Sequence, residues 1–366
     1  MIMLCSGFII IISERIKILK RYHPVVSMLF PIVNPIIYAM QTKELKALMA
    51  EMENTSYVPL KQPIVFTLEG FDITRQQGYP LFVVSFIVYA MMLLGNLTVV
   101  TVIARDTKLH KPMYVMMCNL AACDLLGGTV VMIQLMSHFL TGDKSIGYVA
   151  AIVQAFCVHT YAAATTTILA AMAYDRYVAI CQPLHYHSIM TTRRLVALCF
   201  LAWFIAVLLI MILFILNVGT PLCGTLIMHV YSTNRSILRL ACAPTPINNT
   251  YDLCANWFVS TSTFLVIAFS YVKILKACVV KQEKNSRSKA LQTCASHLTI
   301  YILFETSVFI ITLTYRLQQI SPNAKKFCTI LFIIVPPTVN PIIYGIAMKD
   351  IRRNIMKFFK CTVLLK

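Results

Sequence analysis

Four charged side chains lie where the sequence is otherwise apolar, and they are its best candidates for chemistry. Asp124 stands in NLAACDLLGG, Glu305 stands in YILFETSVFI, and Asp175 precedes Arg176 in MAYDRYVAIC. A charge is costly inside a membrane, so a charged residue in a membrane span indicates a functional site by default. The sequence offers no set of nucleophile, base and orienting group and no metal-ligand spacing, which argues against an enzyme and against a bound cofactor.

Asp124 has two potential amide partners in other apolar segments, Asn96 and Asn340. We expect the three side chains to lie at a matching depth and to form one hydrogen-bonded, hydrated cluster that could hold a cation such as sodium. The alternative is that they only join helices, through hydrogen bonds worth about 1 kcal/mol or less each.

The composition indicates a membrane protein. Of the 366 residues 58% are hydrophobic and 13% are charged, and the mean hydropathy is +0.75. A soluble domain carries about 25% charged residues, so this chain cannot cover a water-facing surface. The net charge of +18 arises from basic residues between apolar runs. It therefore reflects membrane topology and does not indicate a nucleic-acid partner.

Seven apolar segments are long enough to cross a bilayer, which requires about 20 residues each. Only helices or closed barrels satisfy their backbone groups in lipid, and segments of this length exclude barrel strands. The sequence therefore predicts an all-α membrane protein, a bundle of seven helices. The predicted spans are 79–104, 112–136, 147–178, 195–217, 254–280, 290–316 and 326–347.

Lysine and arginine distribution predicts the orientation of the spans. Basic residues crowd the first, third and fifth connections and the tail after the seventh span, whereas the second connection holds only Lys144. Cytoplasmic loops carry the excess of positive charge, so we expect the tail inside and the segment before the first span outside. Residues 348–366 follow as an amphipathic helix and tail on the cytoplasmic leaflet, in contact with lipid.

Three glycosylation sequons agree with this orientation. Asn54-Thr-Ser precedes the first span, and Asn234-Arg-Ser and Asn248-Asn-Thr lie in the fourth connection. All three fall on the predicted outer side, where acceptor asparagines must be. A fourth sequon begins at Asn96 inside the first predicted span, and we expect it to stay unmodified.

Four motifs occur in order, each at a predicted helix end: LHKPMY, MAYDRYVAIC, KALQTCASHL and PPTVNPIIY. Together they resemble the odorant receptors of vertebrates, within the rhodopsin-like G-protein-coupled receptors. The resemblance runs from about Met52 to the C-terminus. It implies a multi-pass receptor of the plasma membrane that binds an odorant between the third, fifth and sixth helices. It also implies a stimulatory, olfactory-type heterotrimeric G protein as partner and cyclic AMP as output.

The resemblance also assigns roles to residues. When the odorant binds, the sixth helix moves outward at its cytoplasmic end, starting from Lys289–Leu298. The switch elements are Asp175, Arg176, Tyr177, Asn340, Pro341 and Tyr344, with Asp124 and Asn96 beside them. The expected pocket residues are His159, Tyr161, Ala162, Ser260, Thr263, Tyr301 and Glu305. Glu305 replaces an aromatic residue common in the family, so it could face an amine or polar ligand, pair with His159, or form an interhelical hydrogen bond.

The chain departs from the family at a disulfide. Receptors of this class staple the third helix to the second outer loop, but the helix position holds Ala151 and the loop position holds Ser232 or Thr233. Cys223 and Cys242 remain as candidates for a bridge within the loop. A second departure is Thr165, where many relatives hold an acid facing Asp124.

PIVNPIIY at Pro31–Tyr38 nearly repeats PTVNPIIY at Pro337–Tyr344. The first copy resembles the end of a second odorant receptor, and it places the start of this receptor at Met52. The predicted organisation is an extra segment at 1–51, an extracellular segment at 52–78, the bundle at 79–347 and the tail at 348–366.

Other functions are compatible with parts of this pattern. A rhodopsin-like receptor for another small ligand, such as an amine, shares the shorter motifs, and the departures would also fit a receptor relic without function. A transporter is disfavoured because transporters often show two comparable halves with broken helices, and the self-similarity here is confined to the repeated octet.

Overall fold

The computed structural model describes residue 60 and residues 64–280, 284–316 and 321–364. Within them, seven helices are long and apolar enough to cross a membrane, which confirms the predicted bundle. Their bounds are α1 Arg75–Arg105, α2 Pro112–Thr141, α3 Tyr148–Cys181, α4 Thr192–Ile215, α5 Pro246–Val280, α6 Lys284–Arg316 and α7 Pro322–Ala347. The extra segment at 1–51 and the sequon at Asn54 lie outside the described residues.

An eighth helix, α8 (Lys349–Leu364), follows α7 after a break at Met348. It packs beside the start of the first connection, where the Asn354 amide donates to Asp106 at 2.7 Å. The opposite end of the bundle carries a small sheet described below. We call the α8 side the tail end and the sheet side the cap end.

The outer faces of the spans remain apolar and exposed, as a lipid-facing surface requires. Leu94 of α1, Phe200 of α4 and Leu265 of α5 are each 60–66% exposed. The third span is the most buried of the seven. The third span therefore forms the centre of the bundle, and the other helices pack against its side chains.

Two adjacent glycines set the spacing around α2. A Cβ added at Gly127 would lie 2.4 Å from Cγ of Tyr161 in α3, and one added at Gly128 would lie 2.3 Å from Sδ of Met92 in α1. No neighbouring atom can lie this close to a Cβ atom, so a side chain at either glycine would clash. The two glycines therefore allow α2 to approach α1 and α3 closely.

Replacing Gly127 by alanine is expected to destabilise the bundle, because Tyr161 is fully buried and has no room to retreat. Overpacking of this kind costs about 1–3 kcal/mol. The measurement is the thermal unfolding midpoint of purified protein in detergent. Gly345→Ala is the matched control, since an added Cβ there meets nothing within 4 Å. Equal midpoints for the two variants would contradict the prediction.

A three-stranded sheet lies at the cap end. Strand β1 (Val65–Leu68) is its centre; β2 (Ser145–Gly147) pairs with it antiparallel, and β3 (Leu226–Ile227) pairs with it in parallel. Phe66 and Leu68 of β1 are buried beneath the sheet. The segment before α1, which the sequence predicts only to be extracellular, therefore forms part of the folded structure.

Charged residues tie this sheet to the bundle. Lys326, near the start of α7, lies 2.8 Å from a carboxylate oxygen of Glu69, directly after β1. The Lys144 ammonium donates to the Glu69 carbonyl at 2.9 Å. The Lys326 side chain is 7% exposed and that of Glu69 is 35% exposed, so the ion pair is partly shielded from water and links β1 to α7.

Candidate functional site

The polar cluster in the middle of the bundle joins α2 to α7. Asp124 is 1% exposed, and the Asn340 amide donates to its carboxylate at 2.9 Å. Asn96 is equally buried, but its amide donates to the carbonyls of Met92 at 2.9 Å and Pro337 at 3.0 Å. The predicted single cluster is thus two adjacent sets, because Asn96 is used to bind α1 to the α7 backbone.

Several polar atoms beside Asp124 have no hydrogen-bond partner among the described residues. They are the second carboxylate oxygen of Asp124, the amide oxygen of Asn340 and the hydroxyls of Thr165 and Tyr344. Buried polar atoms are normally satisfied by protein, water or an ion. All four are oxygens, the ligand type that hard cations prefer, so the set can take either water or a small cation.

A second cluster closes the tail end of α3. Asp175 is completely buried and forms an ion pair with Arg176. Its other oxygen accepts a hydrogen bond from the Tyr186 hydroxyl at 2.8 Å. Tyr186 belongs to a short helix, Tyr186–Ile189, in the connection after α3. The sequence does not single out Tyr186, because none of the residues adjacent to it in the chain predicts a contact with Asp175.

The third element of the predicted switch, Tyr177, points elsewhere. Its ring lies 5.8 Å from that of Phe269 in α5 and 6.3 Å from that of Tyr174. It therefore fills the boundary between α3 and α5, while Asp175 and Arg176 hold each other.

A buried histidine links three helices near the same end. His297 of α6 places Nε2 3.0 Å from the Leu169 carbonyl of α3, and Nδ1 2.8 Å from the Tyr271 hydroxyl of α5. The Leu169 carbonyl can only accept, so Nε2 carries the proton, whereas the single proton of the Tyr271 hydroxyl has two possible acceptors, one of which is Nδ1. The same hydroxyl lies 2.9 Å from the Cys294 carbonyl. His297 falls within the KALQTCASHL motif, but its partners on α3 and α5 could not be read from that motif.

Higher in the bundle, aromatic rings from three helices meet. The Tyr161 ring of α3 lies 5.8 Å from Phe304 of α6 and 5.4 Å from Phe332 of α7, and the last two are 5.5 Å apart. Tyr161 is fully buried and its hydroxyl is unpartnered among the described residues. Beside this aromatic cluster, Tyr301 of α6 is 7% exposed.

Not every predicted pocket residue is available to a ligand. Nε2 of His159 accepts the backbone N–H of Asn234 at 3.2 Å, so this histidine faces the fourth connection and does not pair with Glu305. The Thr263 hydroxyl donates to the Val259 carbonyl of its own helix at 2.8 Å. Ser260 and Ala162 are half-buried. Tyr161, Tyr301 and Glu305 remain as the side chains nearest the aromatic cluster.

Comparison with known proteins decides the family. A family model described as Olfactory receptor matches residues 85–361. Olfactory receptor 52K2 of Homo sapiens is 32% identical over 84% of this chain and 98% of its own length. Olfactory receptor 2A7 of Mus musculus is 33% identical over 81% of this chain and 95% of its own.

The chain belongs to the olfactory receptor family. Olfactory receptors are G-protein-coupled receptors and not enzymes. The crystal structure of squid rhodopsin agrees in fold, with a TM-score of 0.65 at 17% identity, covering 81% of this chain and 84% of that chain. The predicted resemblance to the odorant receptors is confirmed, and the protein is a seven-span membrane receptor of the odorant type.

This olfactory receptor carries a disulfide within its fourth connection. Cys223 is bonded to Cys242, with Cα atoms 5.0 Å apart. Ala151 is fully buried at the helix position where the family staple was expected. The loop is instead held by Gln154 of α3, whose Oε1 accepts the Ser232 N–H at 2.7 Å while its amide donates to the Val130 carbonyl of α2 at 2.9 Å.

Replacing Gln154 by leucine is expected to loosen this loop. The buried Ser232 N–H would lose its partner, at a cost of about 1–3 kcal/mol. We expect a lower unfolding midpoint and a smaller fraction of receptor at the cell surface. Gln182→Leu, at an exposed position after α3, controls for the substitution itself. Unchanged surface delivery and midpoint in the Gln154 variant would show that the loop is held by other contacts.

The structure argues against two of the predicted glycosylation sites. Asn234 and Asn248 are 1% and 7% exposed. The Asn248 amide donates to the Leu216 carbonyl at 3.0 Å and to Asn217 Oδ1 at 2.6 Å, and Asn217 in turn donates to Asn234 Oδ1. A glycan must be attached to the amide nitrogen, which is buried in both residues. Asn248 lies within α5, which begins at Pro246, earlier than predicted, and Asn234 begins a short helix, Asn234–Leu238, in the fourth connection.

Proposed function

We propose that this olfactory receptor binds a small odorant beside the aromatic cluster, among α3, α5 and α6, and then activates a stimulatory heterotrimeric G protein that raises cyclic AMP. The observation that carries the proposal is the closed tail end, where His297 holds α6 to α3 and α5. Outward movement of α6 must break the bond between His297 and Leu169, so the described state is the inactive one.

The tail-end contacts form a two-state element. In the closed state, Asp175 holds Arg176 and Tyr186, and His297 spans the gap to Leu169. In the open state these groups are free to face a G protein. An odorant shifts this equilibrium only if it binds the open state more tightly than the closed one. The aromatic cluster includes rings of α3, α6 and α7, so a ligand packed against it senses their separation.

The orientation follows from charge. Basic residues lie at the tail end of α1, at the start of α4 and along α8, for example Arg105, Arg193 and Arg352. The positive-inside rule places this end in the cytoplasm of the plasma membrane and the cap-end sheet outside. The G protein would then meet α8 and the connection that holds Tyr186.

Around Asp124 we assign the unpartnered oxygens to a hydrated site that can bind sodium. Asp124 supplies the charge, and Thr165 and Asn340 supply neutral oxygens. A cation there stabilises whichever helix arrangement keeps α2, α3 and α7 together, which in this structure is the closed one. Sodium should therefore lower the basal signal, and Asp124→Asn should remove that dependence.

The decisive test expresses the full chain with an N-terminal epitope tag and a cyclic AMP reporter. Surface-delivered receptor should raise cyclic AMP with at least one compound of an odorant panel, in cells that contain the stimulatory G protein. Cells lacking that G protein are the control. If receptor present at the surface never signals through any G protein, with or without ligand, the proposed function is wrong.

A further inference from the structure

Glu305 is an acidic residue in the middle of α6, and its contacts in the structure assign it no structural role. Its Oε1 is buried and has no hydrogen-bond partner among the described residues. It is also the single Asp, Glu, Lys or Arg in the membrane-crossing stretch Cys294–Ile311. A membrane-embedded acid is retained at a cost, so a binding partner for it is expected.

The side chain lies at the boundary between the lipid-facing side and the buried side of α6. The lipid-facing side of α6 is marked by Ile302, Phe309 and Ile310, which are 42–65% exposed, whereas Tyr301 and Phe304 are at most 7% exposed. Glu305 is half-buried and directly follows Phe304. Residues three and four apart share one helix face, so Glu305 lies between the buried Tyr301 on one side and the exposed Ile302 and Phe309 on the other, with its Oε1 buried.

No described basic side chain balances this acid. The ion pairs of the described residues lie at the ends of the bundle: Arg176 with Asp175 at the tail end, Lys326 with Glu69 at the cap end, and Arg353 with Asp350 on α8. His159, the other candidate partner from the sequence, is engaged with Asn234. The described residues therefore supply no cation for a charged Glu305, and a ligand could supply it.

We propose that Glu305 binds the ammonium group of a protonated amine, so that the ligands of this receptor are small amines with an apolar body. This rests on the function proposed above. A carboxylate and an ammonium form a charge-assisted hydrogen bond, which is strong where water is excluded. Aromatic faces attract cations, and the rings of Tyr161, Phe304 and Phe332, which pack against one another in the closed state, can present their faces to the ligand once α6 moves outward.

The amine needs the charged form of Glu305, whereas an uncharged carboxyl would equally serve an alcohol or a ketone. The test therefore compares ligands of one shape and different charge. Cyclohexylmethylamine is paired with cyclohexylmethanol, and benzylamine with benzyl alcohol. A ring-matched amine with a trifluoromethyl group on the carbon that bears the nitrogen, and hence mostly uncharged at neutral pH, completes each series. The readout is cyclic AMP from the full-length receptor at equal surface density.

The wild-type receptor should respond to the charged amine at a concentration at least about tenfold below that of the alcohol or the fluorinated amine, as expected for loss of a charged hydrogen bond. Glu305→Gln keeps the shape and removes the charge. It should weaken the response to the amine by at least about tenfold and leave the response to the alcohol unchanged. Thr306→Ser, at the next and exposed position, should change neither.

Wild-type receptor that responds to alcohols as well as or better than to amines would overturn the amine assignment and leave the proposed function standing. An amine response that persists unchanged in Glu305→Gln at the surface would also overturn it. If Glu305→Gln is not delivered to the surface, the wild-type ligand series alone decides. Surface receptor that is silent to every compound and lacks basal signalling would count against both the amine and the proposed function.

Discussion

Replacing Asp175 by asparagine is expected to raise cyclic AMP about tenfold or more in the absence of any ligand. The buried carboxylate pairs with Arg176 and accepts from Tyr186, and hydrogen bonds to charged groups are worth about 1.5–3 kcal/mol. Asparagine keeps the size but loses the charge. If these contacts exist only in the closed state, their loss moves the equilibrium toward the open state by about tenfold for each 1.4 kcal/mol.

A graded series makes this result specific. Tyr186→Phe removes one hydrogen bond of 2.8 Å and leaves the ion pair, so its rise should be smaller than that of Asp175→Asn. Asp72→Asn is the matched control, since Asp72 is exposed at the cap end, away from the proposed G-protein side. A basal signal in Asp175→Asn no higher than wild type, at equal surface density, would refute the closed latch.

Acidification is expected to destabilise the cap end through His229. This residue is 3% exposed in the fourth connection, and its Nδ1 accepts the Val230 N–H at 2.9 Å. Burial lowers its pKa to about 4, with Lys326 and Arg239 adding to the effect. Because the folded pKa lies below the unfolded value of about 6.5, the unfolded state gains its proton first as the pH falls.

The sign and the window follow from that difference. The stabilisation is fully present above about pH 6.5 and is lost progressively as the pH falls toward 4, by about 3 kcal/mol in all and about 2 kcal/mol by pH 5. Unfolding midpoints of purified receptor at pH 7.5 and pH 5 measure it. His229→Gln cannot take up the proton, so its midpoint should fall less than that of wild type.

Other groups titrate over the same pH range, so the contribution of His229 is measured by comparing the fall in unfolding midpoint between variants. His187→Gln is the control because His187 is exposed at the tail end, and its fall should match that of wild type. Parallel falls for wild type and His229→Gln would show that His229 is not the group responsible.

Only part of the candidate site could be predicted from the sequence, and Glu305 and His159 illustrate why. Both stand in helices that are apolar nearly all round, where periodicity does not indicate which side faces inward. The charge of Glu305 marks it as a candidate, and its Oε1 is buried without a hydrogen-bond partner among the described residues. The expectation that His159 could pair with it was wrong, because the fourth connection folds back and presents the Asn234 N–H to His159.

The sequence by itself determined the number of spans and the family. Long apolar runs suffice for the spans, since a helix in lipid satisfies its own backbone, and the charge of Asp124, Asp175 and Glu305 marked them regardless of their contacts.

The tertiary structure alone decided the partners. Tyr186 on Asp175, Leu169 and Tyr271 on His297, the sheet built on β1 and the burial of Asn234 all join residues that are separate in the chain. Such contacts depend on how helices and loops dock against one another, and no local pattern of residues specifies that.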